Sequence, residues 1–323
     1  MDFNSVIVRF GPEIGVKSKR VRLKYEKMVC KHAVKLLKRL RIPYSDFIHK
    51  LGRIYVYTDH AHEAANALSK LFGVTSTSPA LKSTSKLEDI ISASKDVFGR
   101  KVAQGVKFAV KCNRVGVHSY TSLDVCRIVG REIQESYSDY NIKVDLEQPD
   151  ITISIEIRDE DSFIYTEVIP GPGGYPLGTQ PKVVCLVSGG IDSPVAAWLM
   201  MKRGCPIIPI HFDLSPYASS EYVERAIETI KVLFKWTPEG KGRAVIVPHG
   251  KALTEIREKC PDKLTCILCK RIMYRVAEKI ALKFNAEAIV TGEAVGEQAS
   301  QTVWNLRILS SALTSMQVLR PIL

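Results

Sequence analysis

The chain has 323 residues, 46% of them hydrophobic and 25% charged, which excludes collagen-like and wholly disordered proteins and calls for two or three domains with sizeable cores. No apolar run approaches the roughly 18 residues that span a bilayer, and Met1-Asp2-Phe3-Asn4 lacks a signal pattern, so the expectation is a cytoplasmic protein with no membrane contact. Eight cysteines without a secretory leader fit a reducing compartment and free thiols. The net charge of +12 is local: residues 1–50 carry 13 Lys/Arg against 4 Asp/Glu. Such an excess suits a polyanion such as RNA, and it also suits a solvated helix face.

In chain order, residues 3–10 read as a strand ended by Gly11-Pro12. From Lys19 to Leu40 the apolar positions recur at near-helical spacing, with Lys and Arg on the other face. Arg53–Tyr57 reads as a strand, Ala61–Leu71 as a helix and Gly73–Pro79 as a turn or strand end, which together make a small α+β sandwich. A second block follows, with helices at Leu87–Phe98 and Ser122–Glu135 and strands at Val106–Cys112, Ile151–Ile157 and Phe163–Ile169. Pro170 to Gly178 is too rich in glycine and proline for a helix or strand and reads as a linker. Beyond it apolar strands alternate with helices: Val183–Val187, a helix to Arg203, Ile207–Phe212, Glu221–Phe234, Val245–Val247, a helix to Phe284 and Ala288–Val290. That alternation is the pattern of a doubly wound parallel sheet, giving an α/β fold class overall. The expected domains are 1–75, 76–170 and 177–323.

Between the strand at Val183 and the following helix stands Ser188-Gly-Gly-Ile-Asp-Ser-Pro194. Paired glycines let amide groups converge on an anion, the helix N-terminus adds positive dipole character, and Ser193-Pro194 reads as an N-cap followed by the first helical residue. Asp192 would repel a phosphate unless Mg2+ bridges the two, which argues for a metal-bound nucleotide. The bland reading is a tight strand-to-helix turn. A Walker A loop is absent.

The loop resembles the PP-motif of ATP pyrophosphatases. With Thr291-Gly-Glu-Ala-Val-Gly-Glu-Gln-Ala-Ser-Gln-Thr302 and Gly11-Pro-Glu-Ile-Gly-Val-Lys17, the whole chain resembles the tRNA 4-thiouridine synthetase (tRNA sulfurtransferase) family, in its form without a rhodanese domain. The resemblance implies an N-terminal ferredoxin-like domain, a THUMP RNA-binding domain and a PP-loop domain. It implies ATP and Mg2+, tRNA as substrate, and a sulfide or persulfide-carrying protein as sulfur donor; a second copy of the chain, forming a homodimer, is a further candidate partner. Carried over by motif, Leu186 and Val187 line the nucleotide pocket. Ser188, Gly189, Gly190 and Ser193 hold phosphates with Asp192 near the metal, and His211 and Phe212 stand beside the base. Lys270 reaches the nucleotide, Gly292 allows a close backbone approach, and Gln301 adds a polar contact.

Thr265-Cys-Ile-Leu-Cys269 opens a long helix, with Thr265 read as its N-cap. Cys266 and Cys269 in its first turn are expected to have lowered thiol pKa values, favouring metal ligation or sulfur carriage, although the same spacing also describes two core thiols. The resemblance implies either an iron–sulfur cluster completed by a further cysteine, with Cys260 the nearest candidate, or a direct thiol route. For RNA the candidates are Lys17, Lys19, Arg20, Arg22 and Lys24, together with Lys107, Lys111, Arg114 and Arg127. The competing functions are a PP-loop enzyme acting on a small molecule and a non-catalytic RNA-binding protein. A part in thiamine biosynthesis cannot be read from the residues.

Overall fold

The computed structural model describes residues 2–50 and 52–323, which fall into two compact units. The first gathers the chain up to Phe10, Leu36–Lys70 and Val74–Gly171; the second gathers Gly11–Lys35, Leu71–Gly73 and Pro172–Leu323.

The chain opens with β1 (Ser5–Phe10), α1 (Pro12–Gly15), α2 (Lys19–Leu40), β2 (Asp46–Lys50), β3 (Arg53–Tyr57), α3 (Ala61–Leu68) and β4 (Val74–Thr84). The strands pair in the order β2-β3-β1-β4, the antiparallel arrangement of a ferredoxin-like fold. The chain continues through α4 (Leu87–Gly99), β5 (Lys107–Val115), α5 (Ser122–Ser136), β6 (Lys143–Val144), β7 (Ile151–Arg158), β8 (Asp161–Tyr165) and β9 (Ile169–Pro170). Thr121 and Asp124 close a capping box that satisfies the first amides of α5.

The stretch Gly73–Pro79, read as a turn or strand end, is the start of the 11-residue β4, which pairs with β1 up to Ala80 and with β8 from Leu81 onward. The expected boundary at 75/76 thus falls within one strand of a continuous nine-stranded sheet. Alternate positions of that strand serve two cores: Ala80 packs with Ile7, Tyr55 and Phe163, while Leu81 packs with Ile90, Phe98 and Ile164.

In the same unit the carboxylate of Glu156, 3% exposed, sits under three arginines. Arg53 donates to it at 3.1 Å, Arg158 donates through two nitrogens at 3.1 and 3.0 Å, and Arg9 stands at 3.6 Å. The Tyr55 hydroxyl donates to it at 3.3 Å, and burial pushes that phenol up to about 12. Burial alone would raise the Glu156 pKa; Arg53, Arg9 and Arg158 outweigh it and hold the carboxyl below its ordinary value.

The second unit contains β10 (Lys182–Leu186), α6 (Asp192–Lys202), β11 (Ile207–Asp213), α7 (Ser220–Lys235), β12 (Val245–Pro248), α8 (Gly250–Lys259), α9 (Thr265–Phe284), β13 (Ala286–Val290), α10 (Val303–Ser310) and β14 (Gln317–Leu319). Its five strands are parallel and ordered β12-β11-β10-β13-β14, so the order reverses between β10 and β13 and opens a crevice at their carboxyl ends. On α9, Ala277 and Ala281 are fully buried, and these small side chains let the helix lie close on β13. No helix among the described residues is long and apolar enough to cross a membrane.

The stretch read as a linker is bound into this second unit from Pro172 onward. Tyr175 N–H donates to Lys202 O at 2.9 Å, Gly178 N–H to Gly204 O at 2.8 Å, and Gly73 N–H to Gly173 O at 2.8 Å. Gly174, at φ 75°, has no room for a side chain, because a Cβ would lie 2.1 Å from Lys202 O. The glycines there serve close packing rather than freedom. The first part of α2 belongs to this unit too: Lys17 lies 5.0 Å from the Tyr175 ring and Tyr25 packs edge-on against it at 5.7 Å.

Candidate active site

The crevice at the reversal point is a cleft of about 560 Å³. It is lined by Leu186, Val187, Ser188, Gly189, Asp192, Ser193, His211, Phe212, Lys270, Gly292 and Gln301, which brings together all the expected nucleotide-site residues except Gly190. Gly190 sits on the exposed tip of the loop, where its N–H donates to Ser188 Oγ at 3.3 Å.

The loop is closed by its own serines. Ser188 N–H donates to Ser193 Oγ at 3.0 Å, and the two hydroxyls are 3.2 Å apart. The N-cap reading of Ser193 is corrected: α6 already begins at Asp192, with Ile191 at its N-cap, and the Ser193 side chain braces the loop instead of capping the helix. Asp192 occupies the first helical position, half-buried and facing the cleft. Gly292 packs on this same turn. A Cβ there would lie 2.5 Å from Ser193 N and 2.6 Å from its Cα, so only glycine lets β13 approach the loop.

His211 is 7% exposed, and its Nδ1 lies 3.0 Å from Val187 O, which orients the ring at the strand end. Phe212 packs edge-on against His249 at 5.3 Å. Gln301 is 5% exposed, and its buried Oε1 has no hydrogen-bond partner among the described residues, a group that a ligand N–H would satisfy.

Lys270 Nζ donates to Ser300 Oγ at 3.0 Å and lies 3.4 Å from Glu293 Oε1. Glu293, 6% exposed, is a site residue that the sequence reading did not single out. Its other oxygen accepts from Tyr274 Oη, from Thr291 Oγ1 at 3.1 Å and from Arg320 Nε at 3.1 Å. Burial alone would raise its pKa; the Tyr274 hydroxyl, Lys270 and Arg320 hold it below the ordinary value instead. Glu293 lies inside the Thr291–Thr302 signature, and Lys270 and Tyr274 share one face of α9 at i,i+4 spacing, so two partners of this network were visible in the letters. Arg320, arriving from the end of β14, was not.

The thiols differ from expectation. A 3-10 turn at Asp262–Leu264 runs into α9, whose N-cap is Leu264, so Thr265 is the first helical residue and caps nothing. Cys269 is buried, its Sγ is 3.4 Å from His249 Nε2, and burial pushes its pKa up to about 11 rather than down. Its position in the second turn of the helix gives little dipole help, and desolvation wins. Cys266 is exposed. Among the described residues no group of three or more His, Cys, Asp or Glu stands together to hold a metal ion, so the residues present do not form the three-cysteine set of a cluster. For Mg2+ the donor set differs, because one carboxylate at the loop plus substrate phosphates suffices, and Asp192 fits that role.

The RNA candidates divide between the two units. Lys17, Lys19, Arg20, Arg22 and Lys24 group with the sheet that carries the cleft, and Lys107, Lys111, Arg114 and Arg127 with the nine-stranded sheet. Arg22 donates to the buried Glu26 at 2.8 Å, Lys107 to Asp145 at 2.9 Å and Arg114 to Gly116 O at 3.1 Å, so these three already serve internal partners. Lys19, Arg20, Lys24, Lys111 and Arg127 are exposed.

A glycine-rich loop between strand and helix, a carboxylate at the first helical turn and a lysine across a crevice of a parallel sheet define a PP-loop nucleotide site. The ferredoxin-like domain of the ThiI family matches residues 5–78, the THUMP domain 84–167, and the thiamine biosynthesis protein ThiI 178–323. A probable tRNA sulfurtransferase of Methanobrevibacter smithii is 39% identical over 332 residues, covering 100% of this chain and 83% of its own. One from Methanosarcina mazei is 42% identical, with 94% and 75% covered. Among solved structures, a 4-thiouridine synthetase–RNA complex with bound ATP superposes with a TM-score of 0.84 at 30% identity, covering 99% of this chain and 81% of that one. The Pyrococcus horikoshii protein PH1313 gives 0.74 at 26% identity, with 99% and 94% covered. The chain belongs to the ThiI family, whose members include these tRNA sulfurtransferases.

Proposed function

We propose that the protein is an ATP-dependent tRNA sulfurtransferase that adenylates a tRNA uridine and exchanges its O4 for sulfur, giving 4-thiouridine. The observation that carries this reading is the convergence of the Ser188–Ser193 loop, Asp192 and Lys270 in one cleft at the reversal point of a parallel sheet. The bound ATP and RNA of the solved 4-thiouridine synthetase support it.

The loop amides and Lys270 hold the triphosphate and stabilise the charge that develops as uridine O4 attacks the α-phosphorus and pyrophosphate leaves. His211 and Phe212 flank the adenine, and Gln301 accepts an N–H from it. Mg2+ held by Asp192 would neutralise phosphate charge and polarise the attacked phosphorus. Sulfur then adds at C4 and AMP departs. Free sulfide adds at C4 directly, whereas with a persulfide-carrying donor the exposed Cys266 is the thiol that can take the outer sulfur by exchange, releasing the donor's thiol; no step is assigned to an iron–sulfur cluster.

In this reading the segments 1–75 and 76–170 hold tRNA through its shape and phosphates, with Lys19, Arg20, Lys24, Lys111 and Arg127 as the exposed contacts, and 177–323 performs the chemistry. The reaction belongs in the cytoplasm, and the expected homodimer is read by light scattering. Asp192→Ala is expected to lower AMP and pyrophosphate formation about a thousandfold or more while RNA binding is retained; normal turnover in that variant overturns the assignment.

A further inference from the structure

Chemistry at O4 of a uridine within folded RNA requires the base to leave its stack and enter the cleft beside the phosphates. A base tethered to a polymer needs a receptor that is open to solvent and presents a flat ring. Four aromatic side chains line the cleft. Phe212 and Tyr274 are 8% and 2% exposed, and the Tyr274 hydroxyl is committed to Glu293. Tyr217 and Tyr222, by contrast, are 40% and 53% exposed.

Tyr222 has a second property. The guanidinium of Arg225, one turn along α7, lies 5.5 Å from the Tyr222 ring centroid. The stem of the same arginine runs against the phosphate loop, where a Cβ on Gly189 would meet Arg225 Cδ at 2.9 Å. Arg225 therefore joins an exposed ring to the loop that holds the phosphates, covering one face of the ring and leaving the other for a partner. An exposed Tyr-Arg pair at i,i+3 is common on helix surfaces; one whose tyrosine lines a nucleotide cleft and whose arginine packs on the phosphate loop is not explained by solvation. Tyr217, capped by Arg257 at 4.9 Å, adds a second ring of the same kind. Paired aromatic rings and arginines are the chemistry of unstacked nucleobases next to phosphate.

We propose that Tyr222, backed by Arg225, is the platform on which the extruded target pyrimidine stacks. The proposal rests on the sulfurtransferase reading above and deepens it by assigning the RNA base its own subsite. Adenine takes the deeper end at His211 and Phe212, while the pyrimidine takes the open end at α7. Arg225 supplies a cation beside the phosphate that the base brings with it.

The test separates the two bases. Tyr222→Ala is expected to raise the tRNA concentration for half-maximal AMP formation by roughly 5- to 100-fold, the cost of losing one stacked base. ATP affinity, measured without RNA by displacement of a fluorescent ATP analogue, stays unchanged, and Tyr222→Phe, which keeps the ring, recovers most of the loss. In parallel, the wild-type protein is irradiated in near-ultraviolet light with tRNA carrying 4-thiouridine, which cross-links to a stacked neighbour without turnover, and the cross-link is expected on the peptide containing Tyr222. A parallel loss of ATP affinity in Tyr222→Ala, an unchanged tRNA dependence, or a cross-link confined to other peptides overturns the proposal. If the wild-type protein forms no AMP with tRNA, the sulfurtransferase reading fails, and the cross-link still decides where the base sits.

Discussion

Two buried glutamates, one in each unit, use similar chemistry for different ends. Glu156 and Glu293 are 3% and 6% exposed, each accepts from a buried tyrosine, and each is held below its ordinary pKa, Glu156 by arginines and Glu293 by its tyrosine hydroxyl together with cations. Around Glu156 the cations are three arginines on three strands, and none of them lines the nucleotide cleft. Around Glu293 they are Arg320 and Lys270, and Lys270 does line it. The planar arginine fork suits a fixed structural knot, whereas a lysine on a flexible stem keeps donors for an incoming phosphate. What marks a buried ion pair as part of a site is where its cation can reach, not the perturbed carboxylate itself.

The comparison breaks first at Glu156. Glu156→Ala leaves three arginine side chains facing one another in a site of low exposure, and is expected to destabilise the fold by about 3–5 kcal/mol, read from denaturant unfolding, with ATP affinity retained. A loss below about 1 kcal/mol would make the knot dispensable. Glu293→Gln keeps the shape and removes the charge that fixes Lys270. We expect adenylation slowed roughly 10- to 100-fold, and Glu293→Gln with Lys270→Met no slower than Lys270→Met alone. Additive losses would show that Glu293 acts independently of the lysine.

A smaller effect comes from pH. Both carboxyls have folded-state pKa values below the ordinary 4.5, so the stability they contribute is complete above that value and is lost as pH falls through the depressed folded values. Unfolding midpoints of the wild type should therefore fall on the acid side of about pH 4.5, and Glu156→Ala should flatten that fall. An equal slope in the variant contradicts the role given to Glu156.

The phosphate loop was legible because its information is local: two glycines, an aspartate and two serines where an apolar strand passes into a helix, within seven residues. The doubly wound sheet was legible from alternating apolar strands. β14, three residues long, and β2, with no buried position, carried too little pattern to be read. The stretch from Pro170 to Gly178 was legible as a linker between the segments that match the THUMP domain and ThiI, but composition reports only that glycine and proline avoid helices. Whether such a stretch hangs free or packs on a backbone depends on partners at Lys202 and Gly204. Glu293 went unnoticed because Lys270, Tyr274 and Arg320 converge on it only after folding. At Cys269 the core-thiol alternative prevailed over the helix-terminus one, because burial outweighs helix position there.

The most direct test of the central claim is single-turnover conversion of α-labelled ATP to AMP, with and without unmodified tRNA, under anaerobic reducing conditions with a sulfide source. AMP that forms only with tRNA, together with 4-thiouridine in the recovered RNA, is the predicted result. AMP formed equally well without RNA, or tRNA bound with no AMP formed, would contradict it.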